Sequence, residues 1–361
     1  MFVAWRDLRF AKGRFALMGT VIVLITLLVG LLSGLTAGLA RENVSAITGL
    51  PADHLVFSAP PGDQDISFTD SHIDQNTWER WAQIPGVESA QPLGIAMTKA
   101  QAGSTTASLS AFGVQPGSEL APDSSEINDS AVVMSTRAAD ELGVKVGDAL
   151  TLGGHAVTVA AVSGEAMYSH TPVVWTSLAD WQQLGAPAGD GGAGATVVAL
   201  ATTTRADLAA ADRKLNTRAV SSDEALQAIG SFTAENGSLQ LMRGFLFAIS
   251  ALVIGAFFTV WTLQRSGDVA VLKALGASGH YLLKDALGQA VTLLVLGTGI
   301  GTVLAAGLGA AVGGSAIPFV LDAATVLVPM AIMIALGVLG AALSIRRITS
   351  VDPLTALGSA R

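Results

Sequence analysis

Carboxylate and hydroxyl side chains are plentiful in this chain and five histidines accompany them, yet none stands at a spacing that assembles a reaction centre. Four of the five histidines, His54, His72, His155 and His170, are scattered over residues 41–243, and no H-E-x-x-H pair sets two imidazoles on one helical face around a metal. No G-x-S-x-G elbow presents a serine nucleophile, and there is no cysteine to serve as a thiolate or a disulfide. A phosphate-cradling G-x-x-x-x-G-K-[ST] loop is also absent, so the chain has no P-loop for ATP and any energy for work must enter from elsewhere. No intrinsic cofactor or metal is implied. Two places still concentrate groups able to bind. One is the run Met167-Tyr168-Ser169-His170. The other is Glu235, the last acid before a long uncharged run, with Asn236-Gly237 following it.

The elements that position these groups belong to a membrane protein. Mean hydropathy is +0.55, with 51% hydrophobic and only 13% charged residues. Four runs meet the requirement of about 20 apolar residues for a hydrocarbon slab of about 30 Å. They are Phe15–Ala40, Gly244–Gln264, Ala286–Pro318 and Ala323–Ile345. The first could be a signal peptide, because small residues surround Ala40, but 26 apolar residues exceed an ordinary h-region and three more spans follow. Cations sit before the first span (Arg6, Arg9, Lys12, Arg14), between the second and third (Arg265, Lys273, Lys284) and after the fourth (Arg346, Arg347, Arg361). The positive-inside rule then puts both termini, residues 1–14 and 346–361, in the cytoplasm and residues 41–243 outside. That outer segment holds 10 basic and 23 acidic residues, a net of −13, and the remainder nets +5. The formal −8 therefore sums an acidic exterior and a basic interior, and it argues for no nucleic-acid partner.

The outer segment reads as mixed α and β. Asn76–Gln83 is helical and Val87–Pro92 a strand. From Ser130 the order is strand (AVVM), helix (TRAADELG), a turn at Val146-Gly147-Asp148, and two strands joined at Gly153-Gly154. A glycine-rich, poorly ordered patch, Gly185–Gly194, precedes the strand TVVALA. Ser222–Phe232 reads as a helix running into the second span as a continuous stalk. The fold class is an integral membrane protein with four transmembrane helices and an extracellular α+β domain between the first and second. Inside, residues 265–285 hold a short helix in which Asp268 caps the start and Val269, Leu272 and Leu275 share a face. Lys273 adds charge and Gly276 supplies the stop. Its length of roughly 10 Å would fill a groove on a soluble partner.

The segments WRDLRFAKGRF (5–15), DVAVLKALGAS (268–278) and VDPLTAL (351–357) together resemble the permease subunits of the MacB/FtsX family of ABC transporters. So does the layout of one span, an outer domain and three spans. WAQIPGVESAQPLG and VVMSTRAADELGVKVGDALTLGG are similar to that family's extracytoplasmic core domain. Asp268 stands where the family usually has Glu, which keeps an acid at the helix start. The resemblance implies a homodimer in the plasma membrane of a bacterium, clamped by two cytoplasmic ATPase subunits that bind the ATP. Asp268–Gly276 would be the coupling helix, and ATPase closure would move the outer domains by mechanotransmission. Within the family the chain is most similar to the short haem-exporting permeases of Gram-positive bacteria, which implies haem, or a similarly flat hydrophobic compound, as substrate. The alternatives that the resemblance also implies are a mechanotransmitter that activates an extracellular cell-wall hydrolase, and an exporter of peptide, drug or lipid.

Haem as cargo gives the binding groups named above a role. Glu235 would be a hard carboxylate ligand for ferric iron, supplied once by each protomer of a two-fold dimer. Met167, Tyr168 and His170 include residue types that ligate haem, and Met242 would line the same mouth. Arg41 and Arg243 would pair with propionates. The plainer alternatives are a solvated stalk acid, a strand-end loop, packing, and snorkelling anchors. Gly30, Gly34 and Gly38, with Gly297, Gly301 and Gly309, form stripes that either pack helices closely or line a slot for a flat ligand. Leu272→Asp is predicted to uncouple the partner's ATP hydrolysis from export while leaving the melting temperature of the spans unchanged, because it places a charge in a contact that must be desolvated. A variant exporting at full rate would show that this loop is not the contact.

Overall fold

The computed structural model describes residues 12–184, 194–264, 267, 271, 275–312 and 317–349. The first elements are α1 (Lys12–Thr48), β1 (His54–Ser58), β2 (Ile73–Asp74), α2 (Gln75–Trp81), β3 (Val87–Ala102), β4 (Thr105–Val114), β5 (Ala131–Met134) and α3 (Thr136–Leu142). Next come β6 (Ala149–Leu152), β7 (His155–Val162), β8 (Met167–Tyr168), β9 (Thr171–Ser177), α4 (Leu178–Gln183), β10 (Gly194–Ala195) and β11 (Val197–Thr202). The chain closes with α5 (Leu208–Leu215), β12 (Thr217–Ser221), α6 (Ser222–Ala225), α7 (Gly230–Gln264), α8 (Gly279–Val312) and α9 (Ala323–Thr349). Two compact units divide these elements: Ala40–Gly237, and the residues up to Leu39 with those from Ser238 onward.

Among the described residues, four helices are long and apolar enough to cross a membrane: Ala16–Thr48, Gly230–Gln264, His280–Val312 and Ala323–Leu343. A bilayer offers no water to satisfy peptide groups, so each crossing segment must close its own hydrogen bonds as a helix. At 37 and 35 residues, α1 and α7 are roughly 55 Å and 52 Å long, well beyond the hydrocarbon slab of about 30 Å. The third helix starts at Gly279 rather than Ala286, because Ser278 Oγ accepts the Tyr281 N–H at 3.2 Å and caps it early. It is helical to Val312, short of Pro318, and 317–320 is irregular. The fourth begins where Asp322 Oδ1 accepts the Thr325 N–H at 2.6 Å and the Thr325 hydroxyl accepts the Asp322 N–H at 3.0 Å. The Thr325 N–H holds the Asp322 carboxyl below its ordinary pKa.

The glycine stripes are closed from within the chain. A Cβ on Gly30 would lie 2.8 Å from Ala305 Cβ, and one on Gly297 2.8 Å from Ile22 Cγ2. On Gly301 it would lie 2.7 Å from the Val23 carbonyl oxygen. The Phe319 ring covers both Gly34 and Gly309, Pro318 lies against Gly38, and the Val320 N–H donates to the Gly34 carbonyl at 3.1 Å. These glycines therefore bring α1 against α8 and seat the 317–320 segment. The ligand slot anticipated between the stripes is occupied by the chain's own side chains.

In the outer unit, strands run in the order β12-β1-β11-β3-β4-β9-β5-β7-β6, and Ala100↔Leu152 pairs β6 back onto β3, closing a ring of six strands. β3 can serve both parts because it is 16 residues long, continuing well past Pro92. Gly153 (φ 55°) and Gly154 (φ 93°) turn β6 into β7, the left-handed pair that a two-residue hairpin requires. Ser135 caps α3 through the Ala138 N–H, and Gly143 (φ 69°) ends it. One core gathers Trp81, Trp181 and Val132, and the other Phe57, Phe112, Tyr168 and Ile229 together with Val44, Ala46 and Ile47 from the last turns of α1. The expected continuous helix from Ser222 is broken. Ile229 is extended (φ −87°, ψ 105°) and 1% exposed, so core burial overrides helical continuation and α7 starts afresh at Gly230. Gly194 belongs to β10, paired with Asp74, and the rest of the glycine-rich patch, 185–193, lies outside the described residues. A paired substitution tests the α1–α8 contact. Gly301→Ala should lower the melting temperature of the purified protein by several degrees, since overpacking costs about 1–3 kcal/mol. Gly307→Ala, which meets nothing within 4 Å, should leave it unchanged or slightly raised.

Candidate functional site

β8 and β9 pair through Tyr168↔Thr171, so Ser169 and His170 alone make the turn between them. Both are left-handed, at φ 49° and 62°, a conformation that costs an ordinary L-residue about 1–2 kcal/mol. Docking on the end of α1 offsets that cost. The Ser169 N–H donates to the Asn43 carbonyl at 3.0 Å and the His170 N–H to the Glu42 carbonyl at 3.2 Å. Ser45 Oγ accepts the Met167 N–H at 2.9 Å. The turn is therefore fixed by backbone bonds before any side chain is considered.

Its side chains meet the first turns of α7. His170 Nε2 lies 2.9 Å from Glu235 Oε2, and Nδ1 lies 3.9 Å from Glu42 Oε2. Asn43 Nδ2 is 3.1 Å from His170 Nε2 and 3.4 Å from Glu235 Oε2, while Asn43 Oδ1 accepts the Ser231 hydroxyl at 2.6 Å. Ser169 and Ser231 hydroxyls pair at 2.8 Å. Arg137 Nη1 donates to Glu42 Oε1 at 2.7 Å, and its Nε also approaches Glu141 at 3.5 Å. With Nε2 protonated, the 2.9 Å contact is a hydrogen bond donated to Glu235 Oε2. The Asn43 amide then donates to the same oxygen. Ser231 and Glu235 are one helical turn apart and so share one face of α7.

Of the residues anticipated from sequence, the structure brings Glu235 and His170 into direct contact. Met167 and Tyr168 belong to the core instead. Each is about 95% buried, and the Tyr168 ring stands edge-on to Phe68 (5.8 Å) and Phe112 (5.6 Å). Burial pushes the Tyr168 hydroxyl pKa up, which disfavours the phenolate that an iron ligand requires. Arg41 and Met242 are exposed. Arg243 hydrogen-bonds the Thr36 hydroxyl of α1, and its Nε has no partner among the described residues, so it braces two helices rather than facing solvent. Glu42, Asn43, Ser231 and Arg137 complete the cluster and were not anticipated. The signal that would have found the first two is the continuation of α1 past the uncharged run.

In the 265–285 loop, Val271 O accepts the Leu275 N–H at 3.0 Å and Gly276 is left-handed (φ 93°), the geometry of a helix stop. Val271 and Leu275 are exposed. Asp268, Val269, Leu272 and Lys273 lie outside the described residues. Among the described residues no group of three or more His, Cys, Asp or Glu gathers as a metal site.

Comparison with known proteins gives the cluster its setting. Residues 15–218 match the MacB-like periplasmic core domain and 241–353 the FtsX-like permease C-terminal domain. The chain is 25% identical over 363 residues, 99% of each chain, to a Staphylococcus haemolyticus protein bearing the name hemin transport system permease protein HrtB. It is 24% identical over 375 residues, again 99% of each, to an uncharacterised ABC transporter permease of Mycobacterium bovis. Among solved structures it is similar to the periplasmic region of MacB from Actinobacillus actinomycetemcomitans, with 10% identity, a TM-score of 0.36, and coverage of 52% of this chain and 96% of that one. The extracellular domain of the YknZ transporter from Gram-positive bacteria gives 14% identity and a TM-score of 0.35, covering 47% and 99%. With four membrane helices and an α+β extracellular domain between the first two, the chain belongs to the MacB/FtsX family of ABC-transporter permeases, which work with a separate ATPase subunit.

Proposed function

We propose that this permease exports haem, or a similarly flat hydrophobic compound, as a homodimer driven by two cytoplasmic ATPases. The distribution of cations supports an orientation with both termini in the cytoplasm. The observation that carries the cargo assignment is the Glu235 carboxylate, partly exposed and held by His170 Nε2 at 2.9 Å. A carboxylate is a hard ligand suited to ferric iron, and two-fold symmetry lets one Glu235 per protomer supply both axial positions. Full-length similarity to the staphylococcal hemin permease supports the same reading. The membrane face of α7 carries exposed Leu241, Phe245, Ile249 and Leu252, an apolar stripe that fits lipid or the second protomer.

Force enters through the loop that ends at Gly276. The exposed Val271 and Leu275 offer apolar surface to a groove on the ATPase. The α7 helix carries displacement toward Glu235 without a break from Gln264 to Gly230. On this reading cargo is moved by the stroke of the stalks, and the closed glycine stripes fit a mechanism that opens no channel through a single protomer.

Haemin added to the detergent-purified protein should give a shifted Soret band that saturates at one haemin per pair of chains, and Glu235→Ala should abolish the shift. An unshifted band with the unmodified protein would overturn haem export. It would favour a mechanotransmitter acting on an extracellular hydrolase, which the match of residues 241–353 to the FtsX-like domain also accommodates.

A further inference from the structure

The two oxygens of the Glu235 carboxylate are treated unequally. Oε2 receives both donors, His170 Nε2 at 2.9 Å and Asn43 Nδ2 at 3.4 Å, while no hydrogen bond engages Oε1 among the described residues. We infer that His170 is a positioning residue: it pins Oε2 so that Oε1 is presented, in one fixed direction, to the iron of the cargo. The inference rests on the reading of Glu235 as the iron ligand and assigns His170 a different role from ligation.

Direct ligation through Nε2 conflicts with its surroundings. Nε2 is committed to Glu235 at 2.9 Å, and binding a metal there would break the contact that holds the carboxylate; Nδ1 stands 3.9 Å from Glu42 Oε2, beyond hydrogen-bonding distance. The imidazole is instead held from behind. The left-handed turn and its backbone bonds to Glu42 and Asn43 set the position of the ring, and Arg137 fixes Glu42 through a 2.7 Å bond. Arg137 thus holds the Glu42 side chain, the Glu42 carbonyl accepts the His170 N–H, and His170 Nε2 ends on the Glu235 oxygen that does not meet the iron. Outer partners of this kind orient a ligand and raise its affinity, and their loss typically costs 10–100-fold in metal binding. A free glutamate side chain would lose rotamer freedom on ligation, whereas one already pinned has lost it beforehand.

Two substitutions separate positioning from folding. His170→Asn suits the left-handed turn, because Asn tolerates that conformation, but its shorter amide withdraws the donor from Oε2. His170→Gln places an amide N–H close to where Nε2 stands. In the full-length permease, reconstituted with its ATPase in lipid nanodiscs and titrated with haemin, His170→Asn should weaken binding 10–100-fold. It should also change the electron paramagnetic resonance signal of the ferric iron that remains bound. His170→Gln should recover most of the affinity and the unmodified signal, and both variants should melt with the parent protein. If His170→Asn binds with parental affinity and signal while Glu235→Ala does not bind, positioning is overturned and the ligand assignment survives. If Glu235→Ala binds as the parent does, the ligand assignment itself fails and takes the inference with it. A His170→Gln variant that folds normally yet binds as weakly as His170→Asn also overturns the positioning role.

Discussion

Convergence of backbone and side-chain bonds around His170, whose imidazole lies between the carboxylates of Glu42 and Glu235, orders one edge of the outer unit. It joins three segments with no local reason to meet: the last turns of α1, the β8–β9 turn and the first turns of α7. Two carboxylates brought to one place would repel. Here each has a cationic or donating neighbour, Arg137 for Glu42 and the Nε2–H of His170 for Glu235. Each hydrogen bond is worth only about 0.5–1.5 kcal/mol net, and exposed ion pairs less. What holds the arrangement is convergence. Backbone bonds fix the turn, the buried Val44, Ala46 and Ile47 fix α1, and Ser231 ties Asn43 to α7, so each polar contact forms among groups already ordered.

The membrane unit answers to a different constraint. Helices in lipid gain little from burying one apolar face against another, so close approach must supply the attraction. That is the work of Gly30, Gly297 and Gly301, where an added Cβ would lie within 3 Å of the neighbouring helix. Phe319, laid over Gly34 and Gly309, extends the same logic to the irregular segment before α9, and its backbone is tied to α1 by the Val320–Gly34 bond. The stripes suggested two uses from sequence, packing or a slot, and spacing alone does not separate them. Only the positions of Ile22, Ala305 and Phe319 do.

Much of the fold could be read directly. Uncharged runs bounded by arginines mark the spans, because charge is what the slab excludes. Ser135 before TRAADELG and the pair Gly153-Gly154 mark a cap and a hairpin, because their local backbone chemistry permits little else. What could not be read was decided at long range. Ile229 interrupts an otherwise helical stretch because its side chain is needed in the core. The Ser169–His170 turn carries no glycine, so nothing nearby announces that it is left-handed. Glu235 and His170 were each singled out for their chemistry, but their contact spans 65 positions and follows no period. Met167 and Tyr168 look as available as His170 in sequence, yet the Tyr168 ring is buried against Phe68 and Phe112, and Met167 is buried as well.

The placement of Glu235 on α7 bears on how cargo and stroke would be linked. Ser231 and Glu235 lie on one face of a helix that runs unbroken for 35 residues, and both are engaged by the outer unit. Ser231 and Glu235 both lie in the first turns of α7, so a displacement of those turns along the axis moves them together. A shift of one residue is about 1.5 Å, enough to stretch a 2.9 Å hydrogen bond beyond bonding distance. Glu235 therefore cannot keep His170 and follow α7 through a stroke of that size unless the turn moves with it. Under the proposed mechanism, the same displacement that drives export would withdraw the support from the ligand oxygen, so the step that moves the stalk is also the step that weakens the hold on the iron.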